Sequence, residues 1–157
     1  MKALLFWISG FLRCRIISDG DRPYLERYYL FTAFGTRAYL HRFVGSDPDR
    51  GVHDHPWPWA LAIILFGWYW EQRRSGTRIV RWLNFLTGDT FHRVLLPKDR
   101  GVHEVWTIFI HRNAKVKPWG FLRTNADEVV TYRVHASAPS DWVGTALRGR
   151  NVGRQPR

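Results

Sequence analysis

The chain has 157 residues, of which 45% are hydrophobic and 16% aromatic. This composition excludes a disordered chain, and the length predicts one domain with a sizeable core. Lysine and arginine number 24 against 13 acidic residues, and the formal net charge of +11 favours anionic partners such as nucleic acid. The single cysteine, Cys14, cannot form an internal disulfide, so nothing points to an oxidising compartment and we expect a cytoplasmic protein.

Residues 1–23 are an N-terminal segment that contains the apolar stretch Ala3–Leu12 between Lys2 and Arg13. This stretch is too short to span a bilayer, which needs about 20 residues, and the basic residues Arg13 and Arg15 do not fit a signal-peptide cleavage site. We therefore predict that the stretch forms a short helix or edge strand that packs on the domain. We also predict that the chain is not an integral membrane protein. Contact with a membrane surface is the alternative, because apolar residues flanked by arginine suit an interface.

The pattern of residues 24–135 predicts β-structure. Runs rich in aromatic and aliphatic residues alternate with turn-forming segments, which is typical of an all-β sandwich or barrel. Ala60–Phe66 lacks polar alternation, so we expect it to be covered on both faces. The predicted strands are Tyr24–Phe31, Ala38–Val44, Val52–His55, Ala60–Phe66, Ile79–Phe85, Thr90–Leu95, Val105–Ile110 and Val129–Val134.

Residues 136–157 are predicted to be a basic C-terminal tail. From Arg148 to Arg157 the sequence has four arginines, no acid and few apolar residues, a composition that does not support a packed core. We therefore expect the tail to be flexible and disordered at its end. Such a tail increases solubility, or it contacts nucleic acid or an acidic protein.

His53 and His55 are the strongest candidates for a metal site. Residues two positions apart project from the same face of a β-strand. Both imidazoles can then reach one metal ion at about 2.0–2.1 Å, and a third ligand must come from elsewhere in the fold. The alternative is that His53-Asp54-His55-Pro56 forms a polar loop whose imidazoles hydrogen-bond the turn.

Two short motifs together resemble the two motifs of the cupin superfamily. The first is Gly51-Val-His-Asp-His55, followed by an apolar strand that closes near Gly67, and the second is Gly88-Asp-Thr-Phe-His92. The last histidines of the two motifs are 37 residues apart, which accommodates two strands and their turns. The resemblance covers roughly residues 24–135. Within the superfamily, the chain resembles small cupin-like proteins of phages and bacteria. It implies a double-stranded β-helix, or jelly-roll barrel, that forms a homodimer.

The same resemblance implies a metal centre made of His53, His55 and His92, like the three-histidine iron(II) site of cupin thiol dioxygenases. Cupin first motifs often carry a glutamate a few residues later, but this chain has no carboxylate there, and only Glu71 could fold back to serve as a ligand. His103, which follows a loop of charged residues, is the alternative third ligand. The expected cofactor is a divalent metal, with iron(II) ahead of zinc, manganese or nickel.

Four residues are candidates for binding a substrate near this site. Arg42 or Arg81 would hold an anionic group, because a guanidinium binds a carboxylate or phosphate through two parallel hydrogen bonds. Trp57 belongs to an aromatic cluster that would line the barrel mouth, stack on a base or sugar, or form core and dimer interface. His41 would be a fourth histidine of the pocket or a packed strand residue.

Two functions are compatible with these features. The first is a metal-binding, cupin-like enzyme that acts on a small molecule, as an iron(II)-dependent dioxygenase or another metal-dependent enzyme, with its catalytic residues unassigned. The second is a non-enzymatic basic β-barrel module that binds nucleic acid or a phage or host protein. The net charge and the lack of a nucleophile or phosphate-loop motif in the sequence favour the second.

Overall fold

The computed structural model describes residues 1–124, 129–135 and 142–156. Within these residues the chain forms one α-helix, twelve β-strands and two short 3₁₀ turns. The helix and strands are α1 (Lys2–Ser9), β1 (Cys14–Asp19), β2 (Arg22–Ala33), β3 (Thr36–Phe43), β4 (Val52–His53), β5 (Trp59–Phe66), β6 (Tyr69–Arg73), β7 (Gly76–Val80), β8 (Leu83–Thr87), β9 (His92–Leu95), β10 (Val105–Arg112), β11 (Gly120–Thr124) and β12 (Val130–Val134).

In the described part of the chain these strands make two six-stranded sheets. The first sheet has the order β1-β2-β3-β10-β5-β8, and the second has the order β12-β11-β4-β9-β6-β7. All neighbouring strands are antiparallel. The main hydrophobic core includes Tyr39 and Phe109 from the first sheet and Tyr69 and Val94 from the second, so the sheets pack face to face. This architecture confirms the predicted all-β jelly-roll class.

Strand β5 shows how alternation builds the core. Ala60, Ala62 and Ile64 are buried in it, whereas the side chains between them are half-buried on the outer face of the first sheet. The expected cover on both faces is therefore only partial. Small side chains at positions 60 and 62 leave room for larger residues of the opposite sheet.

One predicted strand is wrong, and three strands were not predicted. Ile79–Phe85 is divided between β7 in the second sheet and β8 in the first, and Arg81 and Trp82 carry the chain across. The sequence has no glycine or proline there to mark the turn. Strands β1, β6 and β11 were not predicted because polar and charged residues interrupt their hydrophobic pattern.

The two ends of the chain lie against the first sheet. Of the two predicted forms of the N-terminal stretch, the helix is found, and β1 places the edge of the first sheet inside residues 1–23. Among the described residues, no helix combines the length and apolar character that crossing a membrane requires. In the predicted tail, the backbone N–H of Gly149 donates to the carbonyl of Leu12 at 2.8 Å, and that of Gln155 to the Glu26 carboxylate at 2.8 Å. Residues 136–141 of this tail and Arg157 lie outside the described residues.

Candidate metal centre

Three histidines meet on the inner face of the second sheet. His53 ends β4, a two-residue strand between β11 and β9, and His92 begins β9 directly opposite it. His55 follows two residues later, and its backbone N–H donates to the carbonyl of Gly88 at 3.3 Å. The second motif therefore anchors the first, and two distant segments of the chain build one site.

Two glycines of these motifs lie so close to a neighbouring backbone segment that no side chain would fit. Gly51 has a φ of +92°, and a Cβ there would lie 2.2 Å from the carbonyl oxygen of Leu122. A Cβ on Gly88 would lie 2.6 Å from the carbonyl oxygen of Trp57. Any side chain at either position would displace the histidine-bearing segments, so the glycines keep the three rings in register.

The ring nitrogens of the three histidines are close enough to share one ion. One ligand atom from each of His53, His55 and His92 lies within 4.8 Å of the others. The Nε2 atoms of His55 and His92 are 2.9 Å apart. Two nitrogen ligands held about 2.0–2.1 Å from one metal lie about 3 Å apart in adjacent positions. The arrangement and the all-imidazole donor set therefore fit a divalent transition metal.

Glu71 fixes the orientation of His92. Its Oε1 lies 3.0 Å from the Nδ1 of His92 and accepts a hydrogen bond from Asn84 at 2.6 Å, while its Oε2 accepts from Arg73 and Arg78, both at 2.7 Å. Burial alone would raise the pKa of Glu71, but these hydrogen bonds outweigh it and hold the pKa well below its usual range. A carboxylate only accepts, so the Nδ1 of His92 donates and its Nε2 offers a lone pair to the site.

His53 and His55 are held in their neutral form. Burial is the largest cause that lowers the pKa of each well below the ordinary histidine value, and the neighbouring His92 lowers both further. A neutral imidazole is the form that binds a metal ion. The surroundings of both rings therefore favour metal binding over protonation.

Asp54 lies between these histidines but points away from them, as strand alternation requires. Its carboxylate accepts a hydrogen bond from the backbone N–H of Gly120 at 2.7 Å and from the Nζ of Lys117 at 2.8 Å. Asp54 therefore connects the end of β4 to its neighbour β11 and fixes the histidine segment on the side opposite the rings.

The three histidines face a cavity of about 890 Å³ between the two sheets. This volume suits a small molecule. Aromatic rings form much of its wall, among them Trp57, Phe109 and Trp119. Its charged lining consists of the cations Arg15, Arg27, Arg37, Arg50 and Lys115 and the acid Asp47. The cavity therefore carries a net positive charge.

Solved structures identify the fold. No family model matches the sequence, and no curated protein matches it. The structure is similar to a cupin-like protein of Thermotoga maritima, with 20% identity and a TM-score of 0.55 over 75% of this chain and 92% of that one. It is also similar to a cupin-2 domain of Rhodospirillum rubrum, with 12% identity and a TM-score of 0.57 over 74% of this chain and 78% of that one. The chain adopts the cupin fold.

A third similar cupin-fold structure is that of iron(II) HppE. It has 13% identity and a TM-score of 0.50, over 62% of this chain and 56% of that one. At such identities the likeness establishes the fold and no activity. The resemblance inferred from the two histidine motifs is confirmed at the level of the cupin fold.

Two of the four predicted substrate residues, Trp57 and His41, line the cavity. Trp57 stacks on His111 with ring centroids 3.6 Å apart and on His55 at 5.4 Å. His41 is packed between Tyr39 and other aromatic rings of the first sheet. Both residues can therefore contact a molecule bound near the histidines.

The other two, Arg42 and Arg81, do not line the cavity, and their expected role there is corrected. Arg42 projects from the opposite face of β3, where Glu26 and Glu104 hold its guanidinium. Arg81 lies in the turn between β7 and β8, exposed, with its guanidinium 4.9 Å from the ring of Trp68. His103, the alternative third ligand, is not part of the histidine cluster found among the described residues.

Sequence reasoning missed two cavity residues, Arg27 and His111. The Nε of Arg27 donates to the Nε2 of His41 at 3.0 Å. The Nδ1 of His111 donates to the carbonyl of Arg112 at 2.7 Å, while its buried Nε2 has no hydrogen-bond partner in the described part of the chain. One sequence signal could have found Arg27. Strand alternation places it on the same side of β2 as Leu25, which is a core residue.

Proposed function

We propose that this chain is a metal-dependent enzyme of cupin fold whose iron(II) is held by His53, His55 and His92. The observation that carries the proposal is the meeting of three imidazoles, one of them fixed by Glu71, at the wall of a large cavity. Bound iron(II) would supply a redox-active Lewis acid for the reaction of dioxygen with a small molecule. Zinc, manganese and nickel are the alternative ions for the same donors.

The substrate that we propose is an anionic small molecule, because Arg27 lacks a compensating acid. Its partner His41 is neutral, since burial lowers the pKa of that imidazole well below its ordinary value. Among the described residues no carboxylate lies within ion-pair distance of Arg27. Burial lowers the pKa of Arg27 itself, as expected for an uncompensated cation. Such a group gains more from a bound anion than an already paired one does.

Aromatic rings occupy the space between Arg27 and the histidines. Phe109 stacks on His41 with centroids 5.0 Å apart, and its ring lies 6.2 Å from that of His55. A substrate whose anionic group binds Arg27 would place its apolar part against these rings, which exclude water from the metal-facing side. The arrangement supports an anion with an aliphatic or aromatic body.

Elemental analysis of the purified, tag-free protein tests the metal site. We expect about one equivalent of metal in the wild type, because three imidazole donors that converge on one point bind a divalent ion tightly. The His53→Ala/His55→Ala variant should retain none. The matched control is His103→Ala, which removes a histidine outside the cluster and should leave the metal content unchanged.

Absence of metal from the wild type, even after anaerobic reconstitution with iron(II), would contradict the proposal. Equal metal content in the wild type and the His53→Ala/His55→Ala variant would contradict it as well. Either result would favour the alternative function, a non-enzymatic module that binds nucleic acid or a phage or host protein. The net charge of +11 supports this alternative. Salt-sensitive binding of oligonucleotides would be the signature of that module.

Titration of the metal-loaded protein with benzoate and with benzamide tests the role of Arg27. The two probes share their shape but differ in charge, and we expect benzoate to bind about tenfold more tightly, since a charge-assisted hydrogen bond contributes about 1.5–3 kcal/mol. In Arg27→Met this preference should disappear while the metal content stays the same. A preference that survives in Arg27→Met would show that another cation holds the anion.

A further inference from the structure

Helix α1 is attached to the domain by one of its two apolar faces. Leu5, Phe6 and Leu12 pack on the outer face of the first sheet, against a cluster that includes Tyr28 and Trp106. Ser9 is fully buried at the end of the helix. This face explains why the segment folds as a helix on the domain.

The opposite face of the same helix is apolar and exposed. The exposed fractions are 57% for Leu4, 64% for Trp7, 39% for Ile8 and 41% for Phe11. Leu4, Trp7 and Ile8 follow the i, i+3, i+4 spacing of one face of α1. Phe11 lies in the turn that follows the helix, with its ring 5.0 Å from that of Trp7. We call Leu4, Trp7, Ile8 and Phe11 the α1 patch. A surface helix normally carries polar residues outward, but the two polar residues of α1 are used elsewhere, since Ser9 is buried and Lys2 pairs with Glu104.

Arginines that form no ion pair with any described residue lie beside the α1 patch. Residues 1–15 and 142–157 contain no aspartate or glutamate. Arg150 is exposed and lies 5.1 Å from the ring of Phe11. Arg13 and Arg148, also exposed, donate to backbone carbonyls, which leaves their charges uncompensated. The surface therefore combines an apolar centre with a positively charged rim.

The C-terminal segment holds this surface in a fixed position. Arg154 donates to the carbonyl of Phe6 at 2.9 Å and to the Oγ of Ser9 at 3.0 Å. The backbone N–H of Arg150 donates to the carbonyl of Gly10 at 3.1 Å. A Cβ on Gly149 would lie 2.3 Å from the carbonyl oxygen of Ser9, so the segment packs against the helix end without a gap. The α1 patch is consequently held outward.

We propose that the α1 patch docks on the surface of membranes that contain anionic lipids. The helix lies in the plane of the interface, with Leu4, Trp7 and Phe11 among the lipid headgroups and upper acyl chains. Tryptophan suits this depth because its ring has an apolar body and a polar N–H. Arg148 and Arg150 bind lipid phosphates, and their attraction to anionic lipid adds to the burial of apolar area. The site is separate from the histidine cavity on the inner side of the sheets.

Cosedimentation with vesicles tests this proposal on the full chain. The probes are large vesicles of phosphatidylcholine alone and of phosphatidylcholine mixed with phosphatidylglycerol. We expect binding to the mixed vesicles and at least about tenfold weaker partitioning for Leu4→Ser/Trp7→Ser, because two large apolar contacts with the interface are lost. Arg148→Gln/Arg150→Gln should weaken binding to the mixed vesicles by at least about fivefold.

The matched control is Trp82→Ser/Leu83→Ser, which removes two apolar side chains that are 78% and 63% exposed at the start of β8, the edge of the first sheet opposite β1. This variant should bind as the wild type does. Far-UV circular dichroism that matches the wild type shows that each variant is folded.

Absence of binding to mixed vesicles would overturn the proposal, as would equal loss in the Trp82→Ser/Leu83→Ser control. Light scattering on a sizing column adds a further test. A wild-type dimer that becomes a monomer in Leu4→Ser/Trp7→Ser would assign the α1 patch to a second copy of the chain and would also overturn the proposal. A wild type whose oligomeric state is the same in this variant supports it.

Discussion

The two faces of the first sheet hold arginines in opposite states. On the outer face, Arg42 is buried, and two carboxylates balance its charge. Its Nε donates to Glu104 at 2.5 Å, and its Nη1 lies 3.3 Å from both carboxylate oxygens of Glu26. The carbonyl oxygens of Gln155 and Pro156 accept from its Nη1 and Nη2 at 2.7 and 3.0 Å.

On the inner face, Arg27 has a neutral imidazole as its hydrogen-bond partner and the ring of Tyr39 below its guanidinium at 5.2 Å. The difference separates a cation whose charge is balanced from one whose charge is not. Two carboxylates neutralise Arg42, whereas the charge of Arg27 is not balanced by any acid in the described part of the chain. The proposed anion-binding role of Arg27 therefore rests on its unbalanced charge beside the cavity and not on its charge alone.

The largest effect expected from this comparison is on stability. Arg42→Met should lower the free energy of unfolding by about 3–5 kcal/mol, because it leaves the buried carboxylate of Glu26 without a counter-ion. Urea denaturation followed by circular dichroism measures this change. Arg27→Met leaves no acid behind and should cost about 1 kcal/mol, the value of one lost hydrogen bond. Similar losses in the two variants would remove the distinction between the faces.

An intermediate effect is expected on metal affinity. Glu71→Gln should weaken zinc binding by about 10–100-fold, because the carboxylate that orients His92 is lost. Competition against a chromophoric chelator measures the affinity. Asp54→Asn is the control, since Asp54 is also buried but contacts Gly120 and Lys117 instead of a histidine. Equal weakening in both variants would mean that the loss arises from general destabilisation.

The smallest effect is expected at Cys14, on the sealed outer face. Burial, the largest cause, raises the pKa of this thiol to about 12. At mildly alkaline pH the thiol therefore stays neutral, and the neutral form does not react as a nucleophile. We expect no alkylation by iodoacetamide in the native protein and complete alkylation after denaturation, measured by mass spectrometry. Rapid alkylation of native protein would show that the outer face opens.

The three histidines could be predicted because their signal is local. In the predicted strand Val52–His55, His53 and His55 share one face, and His92 belongs to a second short motif. The resemblance of these two motifs to those of cupins was therefore sufficient to bring the three residues together. Glu71 was considered only as a ligand. Its actual contact with the Nδ1 of His92 depends on β6 lying beside β9, a pairing that the chain pattern does not encode.

The arginines could not be assigned for a related reason. Arg42 and His41 are adjacent on β3, so alternation alone excludes that both face the cavity. Which of the two faces inward depends on how β3 pairs with β2 and β10, and on what covers the outer face. That cover is α1 and the C-terminal segment, whose arginine-rich composition predicted disorder. Within residues 142–156, Gln155 contacts Arg42 and Glu26 of the first sheet.

The bonds from Arg42 to the C-terminal segment also set an order of events in time. Gln155 and Pro156 lie 113 and 114 residues further along the chain than Arg42. At about 5–20 residues per second, their synthesis follows that of Arg42 by roughly 6–23 s. During that interval the guanidinium can bind at most the carboxylates of Glu26 and Glu104. The hydrogen bonds to Gln155 and Pro156 cannot yet form. The outer face of the first sheet is therefore completed after the strands that form it.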